Sequence, residues 1–135
     1  MAFQVGDVIR IFCDDLTGES KTKFLVTVSF STCGTKVCFV LINTDNYSDI
    51  NNTSFLKSQQ IAVHCKKYPK ILTHNSFFDC SRILERNIDE IESIISKDSK
   101  RLLGAIDSED QALITSALIN NPSLTPKVKK LYKLP

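Results

Sequence analysis

The apolar pattern of this chain changes period near residue 86, and that change limits what it can fold into. Before it, apolar residues alternate or run in short blocks; after it, they recur every three or four positions. Alternation puts successive side chains on opposite faces of a strand, whereas the longer spacing lines one side of a helix. The chain therefore reads as α+β, with residues 3–85 mostly strand and 87–120 mostly helix. Phe3 to Phe12 is a strand with Val8, Arg10 and Phe12 on one face and Ile9 and Ile11 on the other. Phe24 to Phe30 is a second, rich in β-branched and aromatic residues. Cys33-Gly34-Thr35-Lys36 reads as a hairpin turn, with Gly34 free to take a positive φ, and Val37 to Ile42 returns as a buried central strand. These three segments make a meander. Gln59 to His64 suits a fourth strand, and Phe77 to Leu84 one or two more. Short strands separated by polar loops suggest a sheet curled into a small barrel.

Two polar stretches interrupt the strands. Asp14 to Lys21 reads as a loop. Asn43 to Ser54 carries four Asn and two Asp and reads as a long loop over one mouth of the barrel, extending to residue 58. Beyond residue 86, Asn87 with Glu90 three positions on resembles a capping box. Ile88, Ile91, Ile94 and Ile95 then form one helical stripe. A second helix starts at Asp107 or Ser108 and should bury Ala112, Leu113, Ala117 and Leu118. Thr125-Pro126 marks a third helix start, since proline is tolerated at the first helical position.

Composition narrows the function classes. A chain of 135 residues, 42% hydrophobic and 24% charged, suits one folded domain spanning residues 1–135. The longest apolar run, Val37 to Ile42, is far below the roughly 20 residues a membrane helix needs. Residues 1–7 lack the basic start and apolar stretch of a signal peptide, so the expectation is a cytoplasmic protein with no membrane contact. The five cysteines follow no zinc spacing, and adjacent His64 and Cys65 would point to opposite faces of a strand. Most of them read as small buried residues, with no metal and no cofactor. Residues 121–135 hold Lys127, Lys129, Lys130 and Lys133 with no acid, on a chain of net charge +2. That basic extension suits an anionic partner and equally a solvated helical face. No phosphate-cradling glycine loop, Gly-x-Ser-x-Gly elbow or paired-histidine motif is present.

Gly6-Asp7-Val8, the loop Gly18-Glu19-Ser20-Lys21-Thr22-Lys23 and the apolar strand after it resemble the opening of the MazF/PemK-like toxins. Asp79-Cys80-Ser81-Arg82-Ile83 stands where that family has a late strand with an Arg, and Arg101 to Asp110 followed by Ala117-Leu118 resembles its closing helix. The resemblance spans roughly residues 3–119. It implies an SH3-like barrel with C-terminal helices, often a homodimer, acting as a metal-independent endoribonuclease on single-stranded RNA and neutralised by an antitoxin. Such chemistry needs a deprotonated 2′-hydroxyl, a cation beside the developing phosphorane charge and an acid for the leaving oxygen.

The resemblance carries over to particular positions. Lys23 falls where the family has a catalytic Arg, and Thr44 (or Asn43) where it has a hydroxyl residue. Lys21, Arg82, His74 and Asn43 complete an expected RNA-binding set. Pairing the hairpin about Gly34-Thr35 sets Thr44 opposite Leu25, so Lys21, Lys23, Thr44 and Arg82 should converge on one concave surface. Two departures bear on this: Phe24 stands in place of the family's proline, and Lys23 is a point charge where Arg grips phosphate bidentately. The same residues fit plainer roles: Lys21 and Lys23 as loop charges, Thr44 as a strand end, Asp79 and Arg82 as a cross-strand ion pair, and His64 as a packed strand residue. The alternative function is a non-catalytic barrel module binding nucleic acid, through Lys21, Lys23, Lys66, Lys67 and the tail, or a partner protein.

Overall fold

The computed structural model describes residues 2–16, 19–43 and 54–134; the side chains of 14–16, 19–21 and 56 lie outside that description. Within it the chain is α+β. Six strands form one antiparallel sheet: β1 (Asp7–Leu16), β2 (Glu19–Phe30), β3 (Lys36–Asn43), β4 (Gln60–Val63), β5 (Ser76–Asn87) and β6 (Leu102–Ala105). Their order across the sheet is β4-β5-β3-β2-β1-β6. The meander β1-β2-β3 is formed as expected, and β3 is central and almost wholly buried. Among the described residues no ladder joins β4 to β6, so the sheet is open. After β4 a short 3₁₀ turn at Cys65–Lys67 leads to Ile71, which lies over β6: a Cβ added to Gly104 would come within 3.3 Å of its Cδ1.

Strand alternation divides the core between the two faces. Val8, Val26, Val40, Ile42 and Phe78 point to one face, where Ile114, Leu118, Tyr132 and Leu134 cover them. Ile9, Ile11, Leu25, Phe39, Leu41 and Leu84 point to the other, covered by Phe3 and by Ile88, Ile91 and Ile95. The helices are α1 (Ser54–Ser58), α2 (Ile88–Lys97), α3 (Ser108–Ile119) and α4 (Pro126–Leu131). Thus α2 packs on one face of the sheet, and α3 with the C-terminal segment packs on the other.

Several expectations are corrected. The polar loop at 14–21 is largely a continuation of the β1-β2 ladder, with Cys13 opposite Lys21 and Leu16 opposite Glu19; backbone pairing uses N–H and C=O groups whatever the side chains are. Phe77 to Leu84 lies in one long strand, which runs on to Asn87 opposite Lys36. Asn87 occupies the cap position of α2 without a side-chain cap bond; its backbone still pairs with Lys36, and the next amide, that of Ile88, donates to the Thr35 carbonyl at 2.9 Å. A sixth strand lies inside the stretch read as helical. On α3 the buried face runs through Asp110, Ile114 and Leu118, leaving Ala112 exposed and Leu113 48% exposed. Asp110 is drawn inward because the Tyr68 hydroxyl donates to its Oδ2 at 2.6 Å, which rotates the helix away from a purely apolar reading. His64 is exposed and caps the 3₁₀ turn, its Nδ1 accepting from the Lys66 amide at 3.1 Å. Of the long loop at 43–58, residues 44–53 lie outside the described residues and 54–58 form α1.

The basic extension is part of the core. Thr125 caps α4 by accepting from the Val128 amide, and Pro126 occupies its first turn, as its sequence suggests. Beyond α4, Tyr132 is fully buried and donates to Glu85 Oε2 at 2.5 Å. Ser29 Oγ donates to the Tyr132 carbonyl at 2.8 Å and the Thr32 amide to the Leu131 carbonyl at 2.9 Å, tying the segment to the β2-β3 hairpin.

One side chain joins the C-terminal half to the sheet. Two positions of β3 (Phe39 to Leu41) span five of β5 (Leu84 to Asp79), so β5 breaks register around residues 80–83. Such a bulge takes carbonyls out of the ladder. Asn121, 0% exposed, donates its amide to the carbonyls of Cys80 at 2.8 Å and Ser81 at 3.1 Å, while its Oδ1 accepts from Ser123 N and Oγ. A buried carbonyl without a donor costs about 1–3 kcal/mol. Asn121→Leu should therefore lower unfolding stability by about 2–4 kcal/mol. Asn120→Leu, one residue earlier and exposed, should change it by less than about 1 kcal/mol. Urea unfolding of both variants checks this, and equal stabilities would remove the clamp.

Candidate functional site

The hairpin register decides which polar residues meet. The β2-β3 connection is a four-residue loop, with the Ser31 amide bonded to the Lys36 carbonyl at 2.8 Å and the Gly34 amide to the Ser31 carbonyl at 2.9 Å. Gly34 takes φ 74°, as the turn requires. A register shift between Thr27 and Ser29 then moves the pairing by one more residue, giving Phe24 opposite Ile42. Thr44 therefore does not face Leu25, whose partner is Leu41. Instead, continuing the ladder one residue sets Asn43 beside Lys23. Thr44 itself lies outside the described residues.

Two rows of the sheet make the site. Ile11, Lys23, Asn43 and Phe77 lie across the strands in one row; Ile9, Leu25, Leu41, Asp79 and Gln60 form the next. Lys23, Asn43 and Asp79 share a face because they fall on the same alternation as Leu25 and Leu41. Lys23 and Asn43 are half-buried, whereas Asp79 is 1% exposed. A carboxylate so deep needs donors around it. Asp79 has them: Ser81 N at 3.0 Å, Ser81 Oγ at 2.6 Å, Gln60 Nε2 at 2.9 Å and, more distantly, Asn43 Nδ2 at 3.4 Å. The arrangement offers a cation and an amide at the rim, with the amide tied back to a fixed anion. A cation and an amide donor are groups that suit an anionic oxygen.

The other expected residues are more scattered. Lys21 stands two residues beyond Lys23 on β2, opposite Cys13, and its side chain is outside the description. Arg82 is exposed in the irregular part of β5, five positions from Phe77 in the Lys23 row, and does not join Lys23. Asp79 and Arg82 lie on the same strand, so they are no cross-strand pair. His74 is exposed in the loop before β5, at the same end of the sheet as Asn43. The four-residue convergence thus reduces, among the described residues, to Lys23 with Asn43. Asp79, Gln60 and Ser81 are the additions. Asp79 had a signal in the sequence: an acid set within the apolar run Phe77, Phe78 and Cys80.

No protein-family model matches the chain, and no curated protein matches it. No described helix is long and apolar enough to cross a membrane. Among the described residues no three His, Cys, Asp or Glu side chains group to hold a metal ion. Lys67, a candidate for nucleic-acid contact, is already engaged by Asp110 at 3.0 Å and Asp107 at 3.3 Å. In the tail, Lys129 Nζ donates to the Ile119 carbonyl at 2.7 Å, while Lys127, Lys130 and Lys133 are exposed.

The cysteines separate by environment. Cys13, Cys38 and Cys80 are buried, as read from the sequence, and burial pushes the Cys38 and Cys80 thiols up to about 12. Cys33 is exposed in the hairpin turn, and the Ser31 and Thr35 hydroxyls, 3.3 and 3.2 Å from its sulfur, lower its pKa to about 7 by stabilising the thiolate. Alkylation by iodoacetamide in the native state should show a fast phase with a midpoint near pH 7, absent in Cys33→Ser. A midpoint above pH 8 would contradict that assignment.

Proposed function

We propose that this chain is a MazF/PemK-like, metal-independent endoribonuclease acting on single-stranded RNA in the cytoplasm. The observation that carries this reading is the placement of Lys23 beside Asn43 at the open end of the β2-β3 hairpin, with Thr44 next in the chain. In the reaction the RNA 2′-oxygen, its proton released to solvent, attacks the adjacent phosphorus to give a 2′,3′-cyclic phosphate, and the 5′-oxygen departs and takes a proton from solvent; charge builds on the phosphoryl oxygens between them. The Lys23 ammonium and the Asn43 amide would meet that charge, and Thr44 would hold the hydroxyl position that the resemblance assigns. In this reading the sheet is an SH3-like barrel, drawn toward closure where Ile71 covers Gly104. A homodimer and an antitoxin partner belong to the same reading.

A second reading is favoured by Asp79. Its oxygens accept several hydrogen bonds, so it is no free general base, and Lys23 lacks the bidentate grip of Arg. A non-catalytic module that holds RNA phosphate without cutting it fits those two facts.

One experiment separates the readings. A labelled single-stranded RNA is incubated with the protein in EDTA, beside an all-deoxy oligonucleotide of the same sequence. The ribonuclease cuts the RNA and spares the DNA, and Lys23→Ala abolishes cutting. The module binds without cutting, and there Lys23→Ala lowers the salt slope of binding by about 0.7, the share of a single phosphate neutralised by one lysine. RNA neither bound nor cut would overturn both.

A further inference from the structure

A second surface lies on the opposite edge of the meander. Strand β6 pairs with β1 on one side only. Its residues are Leu102-Leu103-Gly104-Ala105, with no proline and no charge, and Gly104 and Ala105 are exposed. Natural sheet edges are commonly blunted by charged or proline residues. This one is short and carries a register shift at Leu103. Beside it runs a groove of about 310 Å³, with Leu103, Gly104 and Ala105 on one wall and Tyr68, Pro69 and Ile71 on the other.

The far wall is fixed before anything binds. The Tyr68 hydroxyl donates to Asp110 Oδ2 at 2.6 Å and accepts from the Asp107 amide at 3.0 Å. Lys67 bridges both carboxylates of that pair and lies 5.8 Å from the Tyr68 ring centroid. Burial and the bond to Asp110 raise the Tyr68 pKa, so the phenol stays a donor throughout the physiological range. A wall already held in place spares a ligand the cost of ordering it. Lys70, by contrast, lines the groove and has no acid within ion-pair distance among the described residues.

We infer that this groove is a docking site for an extended acidic peptide, which adds to β6 as a further strand. The β6 backbone supplies the pairing groups, Ile71 and Leu103 receive an apolar side chain, and Lys70 meets a carboxylate. A second copy of the chain would bring another Lys70 to the same place, which the charge disfavours. Nucleic acid is disfavoured by the apolar walls and by the prior engagement of Lys67. The inference goes beyond the RNA reading and does not depend on it.

The test uses the full chain, isotopically labelled, with three blocked hexapeptides: acetyl-DVEIDV-amide, acetyl-KVKIKV-amide, and the acidic peptide N-methylated at alternate amides. The acidic peptide should shift the amide resonances of residues 102–106 and bind saturably. Lys70→Glu, an exposed change that spares the core, should weaken it by about threefold or more. The N-methylated peptide, unable to pair as a strand, should not bind. Lys23→Ala should leave peptide affinity unchanged, keeping this site separate from the RNA rim. No shift at 102–106, equal binding of the basic or the methylated peptide, or displacement of the acidic peptide by single-stranded RNA would each overturn the inference.

Discussion

The Asn121 amide on the Cys80 and Ser81 carbonyls is the interaction on which the arrangement turns. β5 must serve two neighbours at once. It pairs with β3 from Lys36 to Asn43 on one side and with the short β4 on the other. The extra residues around 80–83 let it do so, but a bulge in the interior strands the carbonyls it releases. Asn121 supplies donors from beyond the end of α3, and that bond fixes how far Asp79 is displaced along β5. The register then sets Asp79 opposite Leu41, where an unshifted ladder from the Phe39–Leu84 pair would put Arg82, and so on the face it shares with Lys23 and Asn43. A bond made by the C-terminal segment thus determines which polar groups gather at the far end of the sheet.

The same logic explains the basic tail. Its lysines suggest an anionic partner or a solvated helical face, and Tyr132 and Leu134 are among the buried residues of the first core face. Tyr132 reaches Glu85 on β5 while its carbonyl accepts from Ser29 on β2. Burial and the Glu85 bond raise its pKa, so the phenol remains protonated and the pair remains a neutral donor to a carboxylate. The lysines are consequently presented from a fixed helix. This structural duty accounts for the segment without any anionic ligand.

What was legible in the sequence followed from periodicity. Alternation over Phe3 to Phe12 located β1 and its two faces, β-branched and aromatic content located β2, and the unbroken apolar run Val37 to Ile42 located β3. The stripe Ile88, Ile91, Ile95 located α2. β6 was hidden because four residues, two of them Gly104 and Ala105, carry no alternation that a reader could separate from a loop. The register of Lys23 was hidden too. It depends on a loop of four residues rather than two and on a shift at Val28, and neither leaves a compositional mark. On α3 the apolar count pointed to Ala112 and Leu113, whereas a hydrogen bond from Tyr68, distant in the chain, set the buried face. Long-range polar contacts carry no local signature, and the site is built mostly from them.

That origin bears on what the rim can do. Lys23 stands between Ile11 and Asn43 in a row one step outside the apolar Ile9, Leu25 and Leu41, and it is half-buried. Asn43 beside it is restrained by the long bond to Asp79, and Asp79 is restrained in turn by Ser81 and Gln60. A chain of restraint of this kind removes rotamer freedom from the amide before a ligand arrives, which favours binding. It does not by itself supply a proton acceptor, since the carboxylate at its root is occupied by donors. In the reading proposed above, whether the rim would cut or only hold a phosphate rests on the hydroxyl of Thr44 and the single charge at Lys23. The sheet positions Lys23 beside Asn43 without activating it.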